Sequence, residues 1–271
     1  MPRYTMMRRL TGMLFLLTAV AGFGCGEDTP TPQPLALTKL SEVASGPVAL
    51  ELWSPSSLSV GLNRVFYKVS QGGQPVTEAT LTQHPVMKMM GHQHGCPSVD
   101  PDTEASADGL FEGALVFTMP SGDAETWDLT VDVTPAGATE KTSLTLVNLP
   151  VADKDSRRTL SVDSGAGARK LHFTLNFPKP PTTGANEFVL TAHTTGPDMM
   201  TFPPVTDLSI TATPEMPSMG HGSSGNVDPI HQGQGFYKGQ VNFSMAGDWV
   251  LRFRVARGEE TLGTFEYAFD I

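Results

Sequence analysis

Cysteine is nearly absent from this chain: two among 271 residues, too few for the disulfide framework that staples small secreted domains. Bases are also outnumbered, 18 against 28 acids for a net charge of −10. Without a basic stripe the chain has no electrostatic footprint for a polyanion, so nucleic acid is excluded as a partner. No apolar run approaches the roughly 20 residues that span a bilayer. Catalytic signatures are missing too. There is no Gly-x-Ser-x-Gly, His-Glu-x-x-His, phosphate-binding glycine loop or dinucleotide fingerprint, and spacing pairs no acid with a base. Asp100-Pro-Asp102-Thr-Glu104 alternates acids but lacks the glycine an EF-hand loop requires, and reads as a solvated acidic loop. The chain therefore reads as a non-enzyme. What it has is a 39% hydrophobic content, excluding an acidic disordered tail, and 13 methionines, more than tyrosine (4) and tryptophan (3) together.

Residues 1–24 read as a targeting segment. Arg3, Arg8 and Arg9 precede the apolar stretch Met13–Phe23, which is signal-peptide length. Small residues then lead into Gly24-Cys25-Gly26, which resembles a bacterial lipoprotein signal with Cys25 as the lipidated residue. Cleavage after Ala19-Val-Ala21 is the rival, leaving Cys25 a free thiol. Residues 25–45 read as a flexible tether, opened by the proline-rich Glu27-Asp-Thr-Pro-Thr-Pro-Gln-Pro34. The body is thus expected to be exported, and to meet a membrane only through its lipid anchor, facing the periplasm or cell surface.

An internal repeat organises the rest. Residues 75–92 align without gaps to residues 204–221, with nine of 18 positions identical, where unrelated segments would share about one. Gly109-Leu-Phe-Glu-Gly113 matches Gly235-Phe-Tyr-Lys-Gly239, and Phe117, Met119 and Trp127 match Phe243, Met245 and Trp249. Asn63 matches Asn186. The chain therefore divides into copies at 46–149 and 159–271, joined by a solvated linker at 150–158. Short alternating, β-branched runs such as Val48–Trp53, Arg64–Val69, Trp127–Val133 and Trp249–Val255 recur between Gly, Pro, Asn and Asp, with no amphipathic helix. The expected fold class is all-β: two tandem immunoglobulin-like β-sandwich domains.

In each copy the third strand runs into a loop rich in methionine and histidine. In the first this is His84-Pro-Val-Met87-Lys-Met89-Met90-Gly-His92-Gln-His94-Gly-Cys96; in the second it is Met216-Pro-Ser-Met219-Gly-His221. Thioether, imidazole and thiolate select copper, Cu(I) above all, over hard cations. If the first stretch is extended, His92, His94 and Cys96 share a face, as do Met87 and Met89. The expected ligand sets are Met216, Met219 and His221, and Met87, Met90 and His92 supplemented by Met89, His94 and Cys96. His94 and Cys96 look like extras of the first copy. Zinc through His92, His94 and Cys96 is the second choice of metal. Cys96 could instead be a reactive thiol, or a disulfide partner of Cys25. A blander reading stands beside these: methionine packs cores, as expected for Met119 and Met245, and the loop is a glycine turn in a structural or interaction module.

Met216-Pro-Ser-Met-Gly-His221, Gly235-Phe-Tyr-Lys-Gly239, Val241-Asn-Phe-Ser-Met245 and Gly247-Asp-Trp249 together resemble the YtkA-like family, related to FixH-like domains. The first copy departs from the pattern, with Lys88 in place of the proline and Phe111 in place of the tyrosine. The resemblance implies an exported immunoglobulin-like domain associated with copper handling or respiratory-oxidase assembly, and hence envelope or respiratory copper proteins as partners.

Overall fold

The computed structural model describes residues 35–163 and 168–271. The targeting segment 1–24, Cys25 and the tether up to residue 34 lie outside the described residues. What is described is an all-β structure with four separate sheets.

The strands in chain order are β1 (Thr38–Ser45), β2 (Val48–Ser54), β3 (Gly61–Gln71), β4 (Gln74–Val76), β5 (Ala79–Met89), β6 (His92–His94), β7 (Ser98–Val99), β8 (Phe111–Phe117), β9 (Thr126–Pro135) and β10 (Thr142–Leu149). They continue with β11 (Arg157–Asp163), β12 (Ala168–Asn176), β13 (Gly184–Thr194), β14 (Ser209–Met216), β15 (His221–Gly222), β16 (Val227–Gly233), β17 (Phe236–Phe243), β18 (Asp248–Arg257) and β19 (Glu260–Asp270). The first sheet runs β1-β2-β3-β8-β7 with β4 added to β3, and the second runs β10-β9-β5-β6. The third runs β11-β12-β13-β17-β16 and the fourth β15-β14-β18-β19. Apart from β4, which has no counterpart, the third and fourth sheets have the strand order of the first and second.

The period-two pattern decides which residues meet. Val48, Leu50 and Leu52 of β2 point inward between half-buried neighbours. One core joins Leu50, Tyr67, Phe111 and Leu115 from the first sheet to Leu81, Trp127, Leu129 and Leu144 from the second. A second core joins Phe173, Phe188, Leu190 and Tyr237 from the third sheet to Ile210, Trp249, Phe253 and Tyr267 from the fourth. Each such side chain contributes roughly 1.5–3 kcal/mol of burial.

The matched asparagines do the same work in both halves. Asn63 accepts from the Ser59 amide at 3.0 Å and donates to the Ser59 and Gly61 carbonyls, each at 2.8 Å. Asn186 accepts from the Thr182 amide at 2.9 Å and donates to the Thr182 and Gly184 carbonyls at 2.7 and 2.8 Å. Both cages close a turn whose glycine, Gly61 or Gly184, has positive φ.

Two stretches differ from the sequence reading. Thr38–Ser45, expected as tether, is a strand along β2. Its exposed, polar alternation hides it, yet Leu40 and Val43 rest on the core, and Gly46 at φ +59 turns it into β2. Residues 150–158, expected as a solvated linker, are tied down at both ends. Val151 and Ser156 are buried, and Ala152 exchanges backbone bonds with Leu58 and Val60, both 2.9 Å. The Ser156 hydroxyl donates to the Val60 carbonyl at 2.7 Å, while the Ser156 carbonyl accepts from the Tyr267 hydroxyl at 2.9 Å. Charge density in the sequence conceals this, because Asp155 and Arg158 pair with each other and Arg158 lies over the Tyr267 ring.

Candidate functional site

The methionine- and histidine-rich stretches are β-hairpins, not loops. In the first, β5 continues to Met89, the chain turns through Gly91 at φ +82, and β6 returns. Register pairs Met87 with His94, Lys88 with Gln93 and Met89 with His92, and on its other side β5 pairs Met87 with Trp127. His94, Met87 and Trp127 therefore stand side by side on three strands. Met87 and Trp127 are fully buried and His94 is 9% exposed. The His94 ring meets Trp127 edge-on, centroids 5.3 Å apart at 86°. The Trp127 indole N–H donates to the Met119 carbonyl at 3.0 Å, and its ring packs on Phe117.

The second hairpin repeats this arrangement. Met216 pairs with His221 across a turn through Gly220 at φ +66. Trp249 is fully buried, donates to the Met245 carbonyl at 2.9 Å and packs on Phe243. The His221 ring meets Trp249 at 5.9 Å and 76°. The Met216 methyl fills the space above Gly247, where a Cβ would overlap it.

The geometry revises which residues correspond. Sequence alignment matches His92 to His221, yet the cross-strand partner of the buried methionine is His94 in the first hairpin and His221 in the second. Beyond the buried methionine's pair the first hairpin adds two more, Lys88–Gln93 and Met89–His92, where the second adds none, and with period two that keeps His94 on the inward face while moving exposed His92 to the tip. His94 is thus not an extra. The dipeptides His94-Gly95 and His221-Gly222 were the signal that could have shown it.

Both imidazoles are held alike. His94 Nδ1 lies 2.8 Å from the Gly95 carbonyl and His221 Nδ1 2.9 Å from the Gly222 carbonyl. A carbonyl only accepts, so in each neutral ring Nδ1 carries the proton and Nε2 presents a lone pair. His94 Nε2 is buried and has no hydrogen-bond partner among the described residues.

The remaining candidates scatter. Met216 is 3% exposed and packs in its core, whereas Met90 and Met219 stand at the hairpin tips, 86% and 62% exposed. The sets Met87, Met90, His92 and Met216, Met219, His221 are therefore split between core and solvent. Met89 is half-buried against the first core. Cys96 is a free, buried cysteine whose thiol burial pushes well above its usual range, so it stays protonated and unreactive. Among the described residues no three His, Cys, Asp or Glu side chains gather as a metal site, His92, His94 and Cys96 included. Two further histidines, His172 and His193, are register neighbours on β12 and β13. Desolvation, aided by nearby Arg157 and Lys170, lowers His172 to about 4, and desolvation foremost lowers His193 to about 4.

Residues 165–254 match a family model described as YtkA-like, so the second half holds a YtkA-like domain. Among solved structures the chain is similar to FdeC, an Escherichia coli adhesin, at 15% identity over 84% of this chain, with a TM-score of 0.26. It spans 65% of that chain. It is also similar to domains 5–6 of the S-layer protein SbsC (9% identity, 86% of this chain and 97% of that one, TM-score 0.26) and to the D0–D1 domain of intimin (13%, 85% and 100%, TM-score 0.23). No curated protein matches.

Proposed function

We propose that this protein is an exported, non-enzymatic β-sandwich module of the cell envelope, working as a metal-independent structural or interaction element. In this reading it is two immunoglobulin-like sandwiches of one duplicated design, 46–149 and 159–271, carried on a lipid anchor at Cys25. The observation that carries it is the division of labour within each hairpin. The first methionine, Met87 or Met216, is core packing beside a tryptophan, and the second, Met90 or Met219, is an exposed thioether at a tip. Exposed methionine is an adaptable contact residue, because its flexible, polarisable side chain fits varied apolar surfaces. Photo-crosslinking from positions 90 and 219 in intact envelopes tests this, with metal analysis of the isolated protein alongside. A discrete crosslinked partner and no stoichiometric metal are expected. Crosslinks no stronger than from exposed Val147, or one copper per hairpin, would refute it.

The fixed imidazoles favour a second reading, copper binding for sequestration or for delivery to envelope or respiratory copper proteins. Metal-bound histidine commonly donates its other ring N–H to a backbone carbonyl, and His94 and His221 both have that arrangement with soft sulfur nearby in sequence. Met87, Met89, Met90 and His92 would supplement His94, and Met216 and Met219 would supplement His221, with zinc the less fitting metal. Cu(I) titration read through quenching of Trp127 and Trp249 should then show micromolar or tighter binding that His94→Ala/His221→Ala abolishes. Unchanged fluorescence would exclude it.

A further inference from the structure

His94 and His221 have the same carbonyl partner, the same tryptophan contact and the same paired methionine, yet opposite exposure: His221 is open and His94 is buried. The surroundings of the next residue in each hairpin differ too, Gly95 against Gly222. The Gly95 amide donates to the Met199 carbonyl at 3.0 Å, and a Cβ on Gly95 would overlap the Met200 carbonyl oxygen. Residues 196–201 from the second half of the chain thus rest directly on the backbone next to His94. At the second hairpin, the atom a Cβ on Gly222 would meet is the Pro214 carbonyl of its own strand pair, so among the described residues no such loop lies against it.

The loop has its own framework. The Gly196 amide donates to the Thr201 carbonyl at 2.8 Å. Asp198 Oδ1 accepts from the Met200 amide at 3.0 Å, the Thr201 amide at 2.9 Å and the Thr201 hydroxyl at 2.8 Å. Met199 is held at φ +57, a conformation costly for a side-chain-bearing residue. Its base is anchored where Thr194 donates to the Pro203 carbonyl and Phe202 meets the His172 ring. The tip reaches the hairpin through the Gly95–Met199 bond.

We propose that residues 196–201 form a cap that gates access to the His94 imidazole, so that the protein presents one open site at His221 and one conditional site at His94. The gate holds under either reading of function, because it concerns access and not the ligand. A reagent needing only an unprotonated imidazole tests it. Diethyl pyrocarbonate transfers its ethoxycarbonyl group to Nε2, releasing carbon dioxide and ethanol, and peptide mass spectrometry reads each histidine separately. In the full-length protein His221 should label at least about tenfold faster than His94. Gly95→Ala pushes the cap away without requiring an unusual backbone angle, and Asp198→Ala removes its internal acceptor. Either should bring His94 to within a few-fold of His221, with His221 itself unchanged. Equal labelling in the unaltered protein, or continued protection of His94 in both variants, would overturn the proposal.

Discussion

Truncating the two methionines of each hairpin should give opposite results. Met87→Ala or Met216→Ala strips a side chain that is 0% or 3% exposed and pressed beside Trp127 or Trp249. At roughly 0.8 kcal/mol per methylene-sized group, transfer alone accounts for about 2 kcal/mol. The cavity left behind raises the cost to about 2–5 kcal/mol, because strands pinned on both sides cannot collapse into it. Met90→Ala and Met219→Ala, at 86% and 62% exposure, should change stability by no more than about 0.5 kcal/mol. Urea unfolding followed by tryptophan fluorescence reads both cores, because Trp127 and Trp249 sit beside the two buried methionines. With a slope of about 2 kcal/mol/M, the core variants should lose roughly 1–2.5 M in the midpoint of the affected transition. The tip variants should move it by less than about 0.3 M at the same slope. Equal shifts for Met216→Ala and Met219→Ala would refute the division into core and tip on which the interaction-module reading depends.

Three further outcomes follow from the same geometry. Mild peroxide should oxidise Met90 and Met219 to sulfoxide well before Met87 and Met216, as peptide mass spectrometry would show; early loss of the buried pair would mean that the hairpins open readily. Gly247→Ala should cost about 1–3 kcal/mol, because its Cβ overlaps the Met216 methyl and Gly247 sits at φ +137. Combined with Met216→Ala it should cost less than the sum, a coupling readable in a double-mutant cycle. Acidification should lower the melting temperature between pH 6.5 and about 4. His172 and His193 stay neutral in the fold down to about 4, while the unfolded chain takes up protons from about 6.5. Stability present above 6.5 is therefore lost as pH falls towards 4, and His172→Asn/His193→Asn should flatten that slope.

Much of the fold is legible because its signals are local. Val48–Trp53 and Trp127–Val133 alternate cleanly, and strands β2 and β9 contain them. The match of Asn63 to Asn186 and of Trp127 to Trp249 anticipates two equivalent cages and two equivalent indole–carbonyl bonds. Where the sequence misleads, partners distant in the chain are the cause. Thr38–Ser45 is too polar to announce a strand and becomes one by pairing with β2. Asp153–Arg158 looks like a solvated link, yet Ser156 is buried by Gly61 and Tyr267.

The site divides along the same line. Residue order by itself determined that soft, basic side chains recur at equivalent places in two halves, since that needs only the chain and its repeat. It could not determine which of them share a face, because a hairpin's register depends on where the turn falls, and two further pairs in the first hairpin set His94, not His92, opposite the buried methionine. Nor could it determine that Met87 and Met216 face inward while Met90 and Met219 face out, or that residues 196–201 rest on the backbone beside one imidazole and not beside the other. Those outcomes come from cross-strand pairing and from contacts between halves more than a hundred residues apart, which only the tertiary structure decides.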